Sequence, residues 1–248
     1  MIKSLKRRLK LLYYSGNKFE CPCCGGRLRK FLAHKQSSFI KGRLTDYSAK
    51  NEICPVCYSY SRHRFLLAFL KNHTDTLKAR LKLLHFAPEP GIGLFLKKQR
   101  NIEYISCDYD PSKYPGTIKV DCTQMQFPDN TFDAVIISHV LEHIQEDVKA
   151  LKELYRIIKP GGWATIAVPI YGDKTYEDSS LDHGGREKMY AWPDHVRLNG
   201  LDFKSKLTSA GFNTYIYTYA DVPGKYIDRE VQSPLLEDNK YIFFCRKD

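Results

Sequence analysis

Residues 120–169 read VDCTQMQFPDNTFDAVIISHVLEHIQEDVKALKELYRIIKPGGWATIAVP, and this stretch decides the fold. Residues 132–138 form an apolar run of strand length. Residues 142–158 repeat apolar side chains at helical spacing and close on Lys159-Pro-Gly-Gly162, a strong helix stop. A second apolar run, 163–168, predicts the next strand. Strand, helix and strand joined by short turns is the unit of a parallel sheet. Working outward, strands are expected at 81–87, 102–107, 117–120, 213–219 and 240–246, with helices at 91–100 and 202–210. The expected fold is α/β, a parallel sheet with helices on both faces.

Ligands of such sheets bind beyond the carboxyl ends of the strands, near a reversal of strand order. Gathered there are the PEPG turn (residues 88–91), Asp108, Asp121 with Cys122, and Ser138 with His139. An acid ending the second strand can accept hydrogen bonds from both ribose hydroxyls, and a turn feeding a helix offers N–H donors to an anion. These residues point to a nucleoside-containing cofactor and leave a dehydrogenase open.

The block is also similar to a known family. Asp121, the FPDNTFD run (127–133), HVLEH (139–143) and KPGG (159–162) resemble the central motifs of class I S-adenosylmethionine-dependent methyltransferases of type 11, over residues 81–248. The resemblance implies a Rossmann-like seven-stranded sheet with its last strand antiparallel, and methyl transfer from the sulfonium of S-adenosyl-L-methionine. It assigns Ala87, Glu89 and Gly91 to the methionine part of the cofactor and Asp108 to the ribose. Asp121 and Cys122 fall to the adenine side, with Ser138 at the neighbouring strand end. One departure is plain. The family begins with an acid and a glycine-rich loop, whereas this chain has HFAPEPGIG: His85 stands in the acid's place and Glu89 where glycine is common. Either Glu89 pairs with the cofactor's ammonium, or the chain is a binding protein that keeps the fold without catalysis. HFAPEPG, TYEDSS (175–180) and DHVRLNG (194–200) further resemble bacterial methyltransferases with an N-terminal CxxC module. That likeness implies an association with surface-glycan or other secondary pathways and does not fix the substrate. The polar, Tyr-, Asp- and His-rich segment 169–200 leads us to expect a polar small-molecule or glycan acceptor, methylated at oxygen.

Composition excludes other classes. With 248 residues, 43% hydrophobic and 27% charged, the chain can bury a full core, which excludes wholesale disorder. No apolar run approaches the roughly 20 residues of a membrane span. MIKSLKRRLKLLYYS is a poor secretory signal, so a reducing cytoplasmic setting is expected. Of the +11 net charge, residues 1–80 carry 18 Lys+Arg against four acids, and the remainder carries 21 against 24. The boundary near residue 80 separates a methyltransferase-like domain (80–248, with a substrate cap at 169–200) from three basic pieces. These are an amphipathic helix (1–17), a zinc-ribbon-like module (18–58) and a linking helix (59–79). Cys21, Cys24, Cys54 and Cys57 form two CxxC pairs, the spacing of a structural four-thiolate Zn2+ site with Cys23 outside it. Redox-active thiols, or mixed ligation through His34 or His63, are the other readings.

Methyl transfer is an in-line displacement for which a protein supplies proximity, orientation and a general base. His139 and His195 are the candidate catalytic residues, and Tyr176, Glu177, Asp194 and Arg197 the candidate substrate ligands. His143 is expected to pack at a helix end. Two further partners follow from the basic third. RNA is one, with Phe31 and Phe39 available for stacking. A membrane surface at the inner face is the other, met by a stripe of Ile2, Leu5, Leu9 and Leu12 opposite Lys3, Lys6, Arg7 and Lys10. The bland reading of that stripe is packing on its own protein.

Overall fold

The computed structural model describes residues 2–222, 230–231 and 240–248, and the side chains of all these except 2–7, 113 and 230–231. In chain order the elements begin with α1 (Ile2–Tyr14), β1 (Ser15–Cys21), β2 (Gly26–Leu28), β3 (Leu32–Ile40), β4 (Arg43–Ile53) and α2 (Ser61–His73). Next come β5 (Leu81–Phe86), α3 (Pro90–Leu96), β6 (Ile102–Asp108), β7 (Ile118–Lys119), β8 (Phe132–Ser138), α4 (Asp147–Ile157) and β9 (Ile158–Ala167). The chain ends with α5 (His183–Tyr190), α6 (Phe203–Ser209), β10 (Asn213–Thr218), β11 (Glu230–Val231) and β12 (Tyr241–Arg246).

Seven strands form one sheet in the order β10-β12-β9-β8-β5-β6-β7. β5 to β9 run parallel, and β12 pairs antiparallel with both β9 and β10. The order reverses between β5 and β8, which sets the ligand crevice at the carboxyl ends of those strands. Both faces of the sheet are buried, and the period of two assigns alternate residues to opposite cores. On one face Leu84, Phe86, Val135, Ile137, Phe243 and Cys245 pack with α4 and α6. On the other Leu81, Leu83, Ala134, Ile136, Ile242 and Phe244 pack with α2 and α3. α4 contributes Ala150, Leu151, Leu154 and Ile157, an amphipathic stripe at helical spacing.

Two boundaries differ from the sequence reading. The helix expected from residue 142 begins at Asp147, because residues 141–143 form a 3-10 turn. Carbonyls an earlier α-helix would need are taken: Val196 N–H donates to Glu142, and Arg197 donates to Leu141, Ile144 and Gln145. The KPGG stop is a bulge inside β9, which starts at Ile158 rather than 163. There Gly161 has φ 77°, and a Cβ on Gly162 would lie 2.8 Å from the Asp133 carbonyl.

The N-terminal third is not a detached appendage. The 29 residues between the CxxC pairs hold the β3–β4 hairpin, whose turn at Lys41 and Gly42 accepts the end of α5 (Lys41 N–H to Met189 O and Gly42 N–H to Lys188 O, both 3.0 Å). Ile40, Tyr47 and Ala49 share a small core with Tyr190 and Leu198 of the cap. α1 packs on the cysteine-bearing core through Leu11 and Tyr14, whereas Leu9 and Leu12 of the expected stripe are exposed. The side chains of Ile2, Lys3, Leu5, Lys6 and Arg7 lie outside the described residues. Among the described residues no helix is long and apolar enough to cross a membrane.

Candidate active site

The four sulfurs of Cys21, Cys24, Cys54 and Cys57 lie within 4.8 Å of one another. Cys21–Cys57 is 3.6 Å and Cys24–Cys54 is 3.9 Å. A tetrahedron with metal–sulfur bonds of about 2.3 Å has edges of about 3.8 Å, so the donor set fits a four-thiolate metal. The two knuckles are built alike. Gly25 N–H donates to Cys21 O and Tyr58 N–H to Cys54 O, with Gly25 (φ 71°) and Tyr58 (φ 60°) both left-handed. Cys23, outside the quartet, meets the first loop of the sheet domain: a Cβ on Gly91 would stand 3.2 Å from Cys23 Cβ. Gly91 is therefore held small by the knuckle.

Ala87 follows β5, Asp108 ends β6, Ser138 ends β8 and His139 follows it, so the sheet brings three expected cofactor residues and the candidate base to one edge. Ala87 (φ 43°) and His139 (φ 55°) both adopt the left-handed region, a strained backbone at the two strands flanking the reversal. His85 is fully buried; its Nε2 donates to Glu89 Oε2 at 2.8 Å, and Tyr104 Oη lies 3.0 Å from Nδ1. Burial alone would raise the Glu89 carboxyl, yet the His85 hydrogen bond and the charges of His85 and His63 bring it down to about 2. An ionised carboxyl thus stands four residues after His85, held by it. Asp108 accepts from Asp110 N–H. Asp121 is exposed and caps its own turn, accepting from Thr123 N–H and Oγ1. Cys122 is buried, which pushes its thiol up to about 12.

Beside this edge opens a cavity of about 560 Å³. One wall comes from β8 and the turn after it (His139, Glu142, His143), and a second from the cap (Tyr171, Trp192, Asp194, His195). The third wall belongs to the N-terminal module: His34, Gln36 and Ser38 on one face of β3, with Tyr47 and Glu52 from β4. His34 and Gln36 are 3.3 Å apart, and Gln36 Nε2 donates to Ser38 at 3.0 Å, a polar ladder at strand period. Sequence reasoning overlooked this wall, although the i, i+2, i+4 pattern at 34, 36 and 38 was a visible signal.

Of the candidate catalytic and substrate residues, His139, Asp194 and His195 line the cavity, whereas Tyr176, Glu177 and Arg197 do not. Arg197 is 1% exposed and donates to Leu141, Ile144 and Gln145 carbonyls and to both Glu177 oxygens, so its guanidinium is enclosed, while Glu177 is engaged as its partner. Tyr176 packs on Tyr190 in the small shared core. His143 faces the cavity instead of merely packing.

His139 Nδ1 lies 3.2 Å from Glu142 Oε1, His143 Nδ1 lies 3.3 Å from Asp194 Oδ2, and the His143 and His195 rings meet edge to face at 4.8 Å. Burial would raise the Glu142 carboxyl, but the His139 hydrogen bond and three neighbouring imidazoles hold it below its ordinary value. Burial drives His195 the other way, down to about 4, and His63 down to about 3. Both are therefore neutral in the fold and protonated near pH 6.5 when unfolded. Their folded values lie below the unfolded one, so stability is complete above pH 6.5 and declines as the pH falls toward 4. Each histidine contributes up to about 1.4 kcal/mol per pH unit in that window. Urea midpoints should drop from pH 7.5 to pH 5, and His195→Gln should flatten the dependence; an unchanged midpoint would contradict neutral burial.

Strand order and parallel pairing define the class of fold: an α/β, Rossmann-like sheet of the methyltransferase type. Residues 94–166 match the family described as Methyltransferase domain. Among curated relatives, demethylmenaquinone methyltransferase of Corynebacterium glutamicum is 42% identical over 112 residues, covering 37% of this chain and 47% of that protein. The ubiquinone/menaquinone biosynthesis C-methyltransferase of Bdellovibrio bacteriovorus is 37% identical over 60 residues, 22% of this chain and 26% of that one. The chain spans less than half the length of these relatives. A SAM-dependent methyltransferase from Archaeoglobus fulgidus superposes with a TM-score of 0.50 at 18% identity, over 75% of this chain and 94% of that chain, and shares the fold.

Proposed function

We propose that this protein transfers a methyl group from S-adenosyl-L-methionine to an oxygen of a polar small molecule or glycan. The observation that carries the reading is the cavity beside His139. Four imidazoles, Gln36, Ser38, Glu52, Arg62 and Asp194 line it together with Tyr47, Tyr60, Tyr171 and Trp192. Side chains that pair polar tips with aromatic faces suit a hydroxylated acceptor better than a prenylated quinone. The cofactor's methionine part would lie against the turn at Ala87 and Glu89, and its ribose against Asp108. S-adenosyl-L-methionine supplies the electrophilic methyl; the protein holds the acceptor in line and takes up its proton. His139, at the strand end nearest the crevice, is the residue assigned that proton. Zn2+ in the four-thiolate site is structural, because four protein sulfurs close its coordination.

Calorimetry with S-adenosyl-L-methionine tests the first half. Binding is expected, with Asp108→Ala weakening it at least about tenfold, the loss of roughly 1.4 kcal/mol in charge-assisted hydrogen bonds. A mass-spectrometric search for products one methyl heavier, across sugars, nucleotides, RNA and quinones, tests the second. Methylated quinone or RNA alone would replace the acceptor class, and no cofactor binding would end the enzymatic reading.

A further inference from the structure

A second metal-ligating group lies in the cavity wall, remote in sequence from the four cysteines. One donor atom each from Glu142, His143 and His195 lies within 4.8 Å of the others. Two of these side chains are nine-tenths buried yet incompletely partnered: Glu142 Oε2 and His195 Nδ1 have no hydrogen-bond partner among the described residues. A buried carboxylate oxygen and a buried ring nitrogen left unmatched lose their hydration without recompense, so both call for a ligand. Their neighbours are arranged as the outer partners of metal ligands are. His139 holds the other Glu142 oxygen at 3.2 Å. Asp194 engages His143 Nδ1 at 3.3 Å, which makes Nδ1 the protonated nitrogen and leaves the Nε2 lone pair available.

We propose that Glu142, His143 and His195 bind a divalent transition cation whose remaining positions take oxygens of the methyl acceptor. Two imidazoles and one carboxylate are donors of borderline softness, suited to Mn2+, Fe2+, Co2+ or Zn2+; Mg2+ and Ca2+ prefer all-oxygen sets. Three protein ligands leave open positions, unlike the closed four-sulfur site. The acceptor class narrows accordingly, to molecules presenting neighbouring oxygens such as a vicinal diol. This inference rests on the methyltransferase reading only for what the cation holds; the cation site itself does not.

Mn2+ is the probe, because the thiolate quartet disfavours it. Full-length protein with its cysteine site zinc-loaded is titrated with Mn2+ and followed by electron paramagnetic resonance, with calorimetry against S-adenosyl-L-methionine in parallel. One saturable Mn2+ per chain is expected. His143→Ala, at a half-buried side chain, should abolish it, and Glu142→Gln should do the same without changing shape. Asp194→Ala, which removes only the outer partner, should weaken it about 10–100-fold. S-adenosyl-L-methionine binding should persist in all three. No saturable Mn2+ binding, or binding indifferent to His143→Ala, overturns the site while leaving the methyltransferase reading intact. Saturable Mn2+ binding lost in His143→Ala, in a protein that never binds S-adenosyl-L-methionine, upholds the site and removes that reading.

Discussion

Cys54→Ser should yield a protein with no bound zinc and an acceptor turnover reduced at least about 100-fold, while the seven-stranded sheet stays folded. Cys54 is fully buried and faces Cys24 across 3.9 Å, so a shorter, harder hydroxyl there removes one corner of the quartet. The core around it comprises only Phe19, Cys21, Leu28, Phe31, Cys54 and Val56, with partial cover from α1. So few apolar residues offset little of the ordering entropy of the two knuckles, and a bound metal, worth about 10–16 kcal/mol in isolated zinc modules, would supply much of their folding energy. Its loss frees the base of β4, where Arg64 ties the second knuckle through the carbonyls of Asn51, Glu52 and Ser59. The wall formed by His34, Gln36 and Ser38 then loses its register. A displacement of about 1 Å at a positioning wall costs on the order of 100-fold in rate. Elemental analysis, thermal unfolding and turnover measure the three parts. Retention of one zinc, or full turnover without it, would contradict the structural role.

The contrast between what the sequence disclosed and what it hid has a physical basis. The central strands were legible because burial on both faces demands continuous apolar runs such as residues 132–138, whereas KPGG, read as a helix stop, lies inside β9, two residues past the end of α4. Strand-end residues followed from topology. The cavity did not, since its third wall comes from a hairpin inserted between two cysteine pairs, and only folding brings His34 beside His195. The charge contrast near residue 80 suggested two bodies, whereas the shared core of Ile40, Tyr47, Tyr190 and Leu198 joins them. Arg197 was misread for a related reason. Its sequence neighbours are polar, which resembles a substrate loop, but carbonyls of residues 141–145 surround it once the cap folds back.

That placement makes a strong prediction for Arg197→Ala: a loss of about 3–5 kcal/mol in stability, with binding of a small acceptor affected only as far as the cap loosens. The guanidinium uses its donors on three backbone carbonyls and the Glu177 carboxylate, and it stands 3.4 Å from Asp147. Alanine removes these donors from the Ile144 and Gln145 carbonyls and leaves the Leu141 carbonyl only the Ile144 N–H. Glu177, a third exposed, can turn to water, and Asp147 keeps Lys206 at 2.6 Å, so the penalty falls mainly on residues 141–145. For a domain of this size the change corresponds to roughly 10 °C in melting temperature. Arg197→Lys should recover only part of it, because an ammonium cannot reach carbonyls on both sides as the planar fork does. A substrate-binding arginine behaves oppositely, with KM raised and melting unchanged. If Arg197→Ala melted normally and only KM rose, Arg197 would return to the acceptor site. Because the same carbonyls force the 3-10 turn that carries Glu142 and His143, destabilisation should also weaken Mn2+ binding. An arginine that ties residues 141–145 to residue 177 thus couples the order of the candidate cavity to the stability of the fold.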